Sequence, residues 1–159
     1  MTSRTFTKSW GAEYTEANAV RFRLWASGHS RVMLRLSGED KEMNAVGDGW
    51  FELTVPGVAP GAEYQYVLPD GMAVPDPASR AQKADVNGPS LVVDPAHYAW
   101  QNTDWQGRAW EETVVYEMHI GTFTPEGTFR AAIDKLPYLA QTGITMIEVL
   151  PVSQFGGHR

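Results

Sequence analysis

The side chains best placed for chemistry are Glu117, His119 and Glu148. Glu117 and His119 stand two residues apart in a β-patterned run, which puts both on one side of a strand, and Glu148 falls in the next such run. Two carboxylates and an imidazole facing one cavity can serve acid–base chemistry. A hydrogen-bonded packing network at a layer of strands is the competing reading. It is the one adopted, because buried polar side chains are usually satisfied structurally.

Aromatic side chains form the second group. Tyr98, Trp100, Trp105 and Trp110 crowd a polar stretch and offer flat faces on which sugar rings can stack. Large aromatics are mostly buried, so the expectation is that these four cement one domain to the next. Trp10, Trp25 and Trp50 are read the same way, with Trp25 and Trp50 assigned to core packing because they sit in or beside strand patterns. Arg21, Arg23, Arg31 and Arg35 fall on the polar sides of those patterns, and a solvated face accounts for them. No glycine-rich phosphate loop or Gly-x-Ser-x-Gly elbow is present, and His29, His97, His119 and His158 are too scattered for a helical metal site.

The elements that must position these groups follow from hydrophobic periodicity. Val20, Phe22 and Leu24 alternate with Arg21 and Arg23, the mark of a half-buried strand. Further strands are expected over residues 31–36, 50–55 and 64–68. Turns are expected at Ser37-Gly38-Glu39-Asp40 and Gly47-Asp48-Gly49, with stops at Pro56-Gly57 and Pro69-Asp70-Gly71. Short strands at this spacing predict an antiparallel sandwich. Residues 69–95 carry Pro69, Pro75, Pro77, Pro89 and Pro95, so they read as a connecting segment laid over it.

Beyond Trp110 the pattern becomes β-α-β. Strands are expected over 114–120 and 145–150. Between them, Thr128 caps a helix whose Phe129, Ala132, Ile133, Leu136, Leu139 and Ala140 share one face, and Gly143 stops it. Pro137 sits awkwardly in its last turns. Two parallel strands joined by a right-handed crossover normally belong to a larger sheet. The expectation is therefore an unfinished second domain with exposed apolar surface.

Composition excludes several classes. The chain has 159 residues, short of the roughly 250 of a closed barrel. Its net charge of −6 and pI near 5.1 argue against a phosphate-backbone binder, so no nucleic-acid partner is expected. No cysteine is present, which removes disulfides and thiolate chemistry. The opening residues lack a signal-peptide core and no apolar run spans a membrane, so a cytoplasmic location without membrane partners is expected.

The run Val115-Tyr116-Glu117-Met118-His119-Ile120-Gly121-Thr122-Phe123, continuing Thr124-Pro125-Glu126-Gly127-Thr128-Phe129, resembles the first barrel strand and following loop of the α-amylase superfamily. Gly143-Ile144-Thr145 and Ile147-Glu148-Val149-Leu150-Pro151-Val152 resemble its second barrel strand. Trp10-Gly11-Ala12-Glu13, Phe22-Arg23-Leu24-Trp25-Ala26 and Gly61-Ala62-Glu63-Tyr64-Gln65-Tyr66 resemble the immunoglobulin-like module that precedes the barrel. Asp76-Pro77-Ala78-Ser79-Arg80, Gly88-Pro89-Ser90 and Val93-Asp94-Pro95 are most similar to the trehalose-releasing members, with glycogen branching and isoamylase-type debranching enzymes behind them.

The resemblance implies a mainly β chain: an immunoglobulin-like, carbohydrate-binding-module-like sandwich with its linker over residues 1–108, then the first βαβ unit of an incomplete (β/α)8 barrel over 109–159. It implies a parent enzyme that releases trehalose from maltooligosyltrehalose by retaining hydrolysis of an α-1,4 bond, through a covalent glycosyl-enzyme. The family's catalytic carboxylates lie on later strands, so none is carried over and this stretch is expected to be inactive alone. Glu117, His119 and Glu148 are carried as candidate substrate contacts. The implied partner is α-glucan or maltooligosyltrehalose, and neither metal nor organic cofactor is called for. Residues 151–159 resemble the loop after the second strand, which in the family runs into an aromatic Gly-Tyr-Asp segment. A non-catalytic α-glucan-binding module is the alternative of a different class.

Overall fold

The computed structural model describes residues 8–15, 18–153 and 156. Those up to Ala99 form one compact unit and Trp100–Ser153 another. The expected loop over 151–159 lies largely outside the described residues.

The first unit contains β1 (Gly11–Thr15), β2 (Ala19–Trp25), β3 (Met33–Leu36), β4 (Glu39–Glu42), β5 (Asn44–Gly47), β6 (Trp50–Pro56), β7 (Glu63–Val67), β8 (Ala73–Val74) and β9 (Ser90–Leu91). One antiparallel sheet has the order β1-β2-β6-β5 and the other the order β4-β3-β7-β8, with β9 also paired to β7. Alternation explains how they close. Val20, Phe22 and Leu24 of β2 are buried, as are Leu34 and Leu36 of β3 and Tyr64 and Tyr66 of β7. Phe22 meets Tyr64 edge-to-face across the two sheets at 5.0 Å. Fully burying a ring such as Phe22 contributes about 2 kcal/mol against leaving it in water.

Two turns set the registers. Ser37 and Gly38 both have positive φ, 51° and 90°, so a two-residue turn joins β3 to β4. Glu39 and Asp40, expected in the turn, instead pair with Leu36 and Arg35. Gly47-Asp48-Gly49 turns as expected between β5 and β6. A Cβ at Gly49 would lie 2.5 Å from Ser27 Cβ, and its φ is +79°, so only glycine fits there.

The proline-rich segment does more than cover the sandwich. It contributes β8 and β9 to the second sheet and sends Asp76 into the interior, 3% exposed. Asp76 Oδ2 accepts from the Tyr64 hydroxyl at 2.7 Å and the Tyr66 hydroxyl at 3.4 Å, and Oδ1 accepts from Ala78 N at 2.8 Å. Its backbone N–H donates to Ser90 Oγ at 2.9 Å. The links to Tyr64, Tyr66 and Ser90 tie Asp76 to β7 and β9, and the one to Ala78 closes a local turn, which is how a stretch with five prolines is held without long elements.

The second unit contains β10 (Val115–His119), α1 (Ile120–Phe123), α2 (Phe129–Ile133), α3 (Leu136–Gln141) and β11 (Met146–Leu150). β10 and β11 are parallel, giving the expected βαβ order. Ile120 starts α1 and does not extend the strand. The single expected helix is two. Thr128 caps α2 through Ala131 N, but the run breaks after Ile133 and Pro137 opens α3, where a missing N–H costs nothing. The halves therefore do not share one apolar face: Ala132 and Leu139 are buried, whereas Phe129 and Ile133 are 58% and 60% exposed. Gly143, at φ +89°, ends α3 with Gly143 N donating to Ala140 O and Ile144 N to Leu139 O, a Schellman motif.

Candidate functional site

Strand parity on β2 that sends Phe22 and Leu24 inward sends Arg21, Arg23 and Trp25 outward. On β6, Phe51 goes inward and Trp50 and Glu52 outward. Trp25 and Trp50 are paired across the strands, as are Arg23 and Glu52. Trp10, just before β1, sets its ring at 6.3 Å from that of Trp50 with the planes 74° apart. With Ser9, the three indoles line an open recess of about 490 Å³ on the outer face of the first sheet.

This corrects the core-packing expectation for these residues. Trp10 is 49% exposed and Trp25 52%, and Trp50 is only half-buried. The signal was present in the sequence: Trp25 has the same parity as the two arginines, so a strand buried on Phe22 cannot also bury it.

The recess is held in shape. Trp25 Nε1 donates to Asp48 O at 3.0 Å, which ties the indole to the Gly47-Asp48-Gly49 turn. The Arg23 guanidinium lies 4.5 Å over the Trp50 ring, a cation–π contact. Arg23 Nε stands 3.5 Å from Glu52 Oε2, an ion pair without a formed hydrogen bond. Arg21 is also ion-paired, to Glu13 at 2.7 Å, as are Arg31 with Glu42 and Arg35 with Asp40. The Arg21 side chain is 16% exposed, so this arginine is packed where a freely solvated face was expected.

Glu117, His119 and Glu148 occupy one face of the second unit. Glu117 is the register partner of Glu148, and His119 that of Leu150. Met118 and Val149 point to the opposite face, where they pack with Ile120, Phe123 and Ala132. The grouping of the three polar residues on one side of two parallel strands holds. The buried hydrogen-bonded network does not, because all three are exposed. The same face leaves Val115, Met146 and Leu150 exposed. Tyr98, Trp100, Trp105 and Trp110 are also exposed, at 65–75%, so burial expected for them is not found.

No group of three or more His, Cys, Asp or Glu side chains among the described residues could hold a metal ion. Among those residues, no helix is long and apolar enough to cross a membrane.

A two-sheet antiparallel sandwich of this kind defines a mainly β, immunoglobulin-like fold. The model for carbohydrate-binding module 48, the isoamylase N-terminal domain, matches residues 9–95, and the chain belongs to this family.

Malto-oligosyltrehalose trehalohydrolase of Deinococcus radiodurans is 47% identical over 88% of this chain and 23% of its own length. A 1,4-alpha-glucan branching enzyme of Xanthomonas oryzae is 34% identical over 92% of this chain and 24% of its own. A solved structure from Salmonella typhimurium, assigned as an alpha amylase, is 71% identical over 97% of this chain and 26% of that chain, with a TM-score of 0.92. The chain thus spans about a quarter of the length of the relatives it matches.

Proposed function

We propose that this chain is the N-terminal part of a glycoside hydrolase that releases trehalose from maltooligosyltrehalose by retaining hydrolysis of an α-1,4-glucosidic bond. The observation that carries the reading is the 47% identity to a trehalohydrolase across both units of the chain, against 34% to a branching enzyme. In this reading residues 1–108 are the carbohydrate-binding sandwich and its linker, and 109–159 are the first βαβ unit of a (β/α)8 barrel. The parallel pairing of β10 and β11, with helices against one face, supports that assignment.

In such a barrel the face opposite the helices is the interior. Glu117, His119 and Glu148 then stand on the first two strands, where they contact substrate and do not break the bond. The nucleophile and the acid belong to later strands of the parent, which attack the anomeric carbon and protonate the leaving oxygen. The chain alone is accordingly inactive, and the reading includes a cytoplasmic site of action.

Product analysis of the full-length parent tests the proposal. Incubated with maltooligosyltrehalose, it yields free trehalose and a shortened maltooligosaccharide. The branching-enzyme likeness gives the second reading, and transfer of glucan segments without free trehalose would favour it.

A further inference from the structure

We propose that Gly121 is a positioning residue, leaving the space in which the His119 imidazole is seated at the substrate end of β10. The proposal rests on the barrel reading above, in which His119 contacts substrate. Of the three polar residues on that face, Glu117 and Glu148 stand in mid-strand, whereas His119 is the last residue of β10. Active sites of parallel barrels lie at the C-terminal ends of the strands. His119 is therefore the one nearest the substrate.

Nothing in the backbone of Gly121 calls for glycine. It lies in the helical turn α1, where alanine is the better helix former. Among the described residues outside that turn, a Cβ at 121 would meet the His119 ring alone, at 3.0 Å from Cε1 and 3.3 Å from Nδ1. Both distances are shorter than an ordinary carbon contact. A side chain there pushes on the imidazole.

The backbone has no room to give way instead. Gly127 closes against Gly121 from the far end of the loop, and a Cβ on Gly127 would lie 2.9 Å from Gly121 O and 3.3 Å from Gly121 Cα. Gly127 is itself held, its N–H donating to Thr124 O at 3.0 Å and to Thr124 Oγ1 at 3.2 Å, and Thr124 is buried. Thr122 Oγ1 donates to His119 O at 3.3 Å, which ties the start of the loop to the end of the strand. With the loop fixed, the exposed His119 ring is the part that yields.

A double-variant cycle in the full-length parent tests the role, with maltooligosyltrehalose as substrate and trehalose as the product measured. Gly121→Ala is expected to keep the wild-type thermal melt, to raise KM at least about threefold and to leave kcat near wild type. His119→Ala should raise KM by about 3- to 10-fold, and the double variant should match it, because Gly121 acts only through the ring. Wild-type KM in either single variant, or a double variant in which the two effects multiply, would overturn the proposal. Should Gly121→Ala melt below wild type, the double variant still decides, since a general loss of structure would add to the loss of the ring. A wild type that transfers glucan segments and releases no trehalose would remove the hydrolase reading alone. The same cycle, read in that transfer on amylose, then supports or overturns the positioning role by the same criterion.

Discussion

The Tyr64 hydroxyl donates to the buried Asp76 carboxylate at 2.7 Å, joining the central strand of the second sheet to the proline-rich segment that follows it. That segment also pairs with β7 through β8 and β9, and the side-chain link adds to this backbone anchorage. Tyr64→Phe removes a donor from a buried acceptor, and the expected loss is about 1–3 kcal/mol. Thermal or urea unfolding of the sandwich measures it. A variant as stable as wild type would show that the segment is held by its backbone pairings alone.

Burial raises the Asp76 carboxyl above its ordinary value, against the opposing pull of hydrogen bonds from Ala78, Tyr64 and Tyr66. A carboxyl raised in the folded state holds its proton more tightly there than when unfolded. Its contribution is full below the unfolded value of about 4 and is lost as pH rises through the folded value. Wild type should therefore lose stability relative to Asp76→Asn as pH rises above about 4. Burial, with the Asp76 charge adding to it, raises Tyr64 and Tyr66 as well. By the same sign rule, their contribution is lost above about pH 10, where unfolded tyrosine ionises. Parallel urea titrations across pH check both windows.

Gly143 occupies a left-handed conformation at the end of α3, where its N–H and that of Ile144 satisfy the last carbonyls. Gly143→Ala places a Cβ in that conformation and should destabilise the second unit by about 1 kcal/mol. Hydrogen exchange at β11 amides, compared with those of β2, reports the effect locally. Equal protection in variant and wild type would argue that the Schellman turn contributes nothing to the parallel pair.

The second unit exposes Val114, Val115, Met146, Leu150, Phe129 and Ile133 at 41–60%. A pair of parallel strands with one bare face is a weak cooperative unit. The 159-residue protein is expected to bind a hydrophobic dye, and its second unit to melt below the sandwich. One sharp transition without dye binding would contradict this.

How much of the fold and site is legible in the sequence depends on which physical rule each residue obeys. The parity of Val20, Phe22 and Leu24 located β2, and the same parity applied to Trp25 would have placed that ring outside. The preference of tryptophan for burial overrode it and gave the wrong side. The helix break at Ile133 was signalled by Pro137, whose effect is to start α3 rather than to kink one long helix. The turn at Ser37 was overestimated because Glu39 and Asp40 are common turn residues, yet their pairing to β3 is set by the two positive-φ residues before them. Asp76 as an internal anchor was not legible at all. Its partners Tyr64, Tyr66 and Ser90 are 10 to 14 positions away and no periodicity links them.

In the full-length parent, Glu117→Gln and Glu148→Gln test the assignment of the polar strand face. Substrate contacts that act in binding should raise KM by about 3- to 10-fold and leave kcat near wild type. A loss of kcat by orders of magnitude at unchanged KM would instead assign one of them to the chemical step.

Trehalose release by the full-length parent is the property most directly open to measurement. Full-length protein incubated with maltooligosyltrehalose, its products separated and quantified, is predicted to release trehalose in equimolar amount with the shortened maltooligosaccharide. Glucan segments transferred into branches, with no free trehalose at any time point, would contradict it.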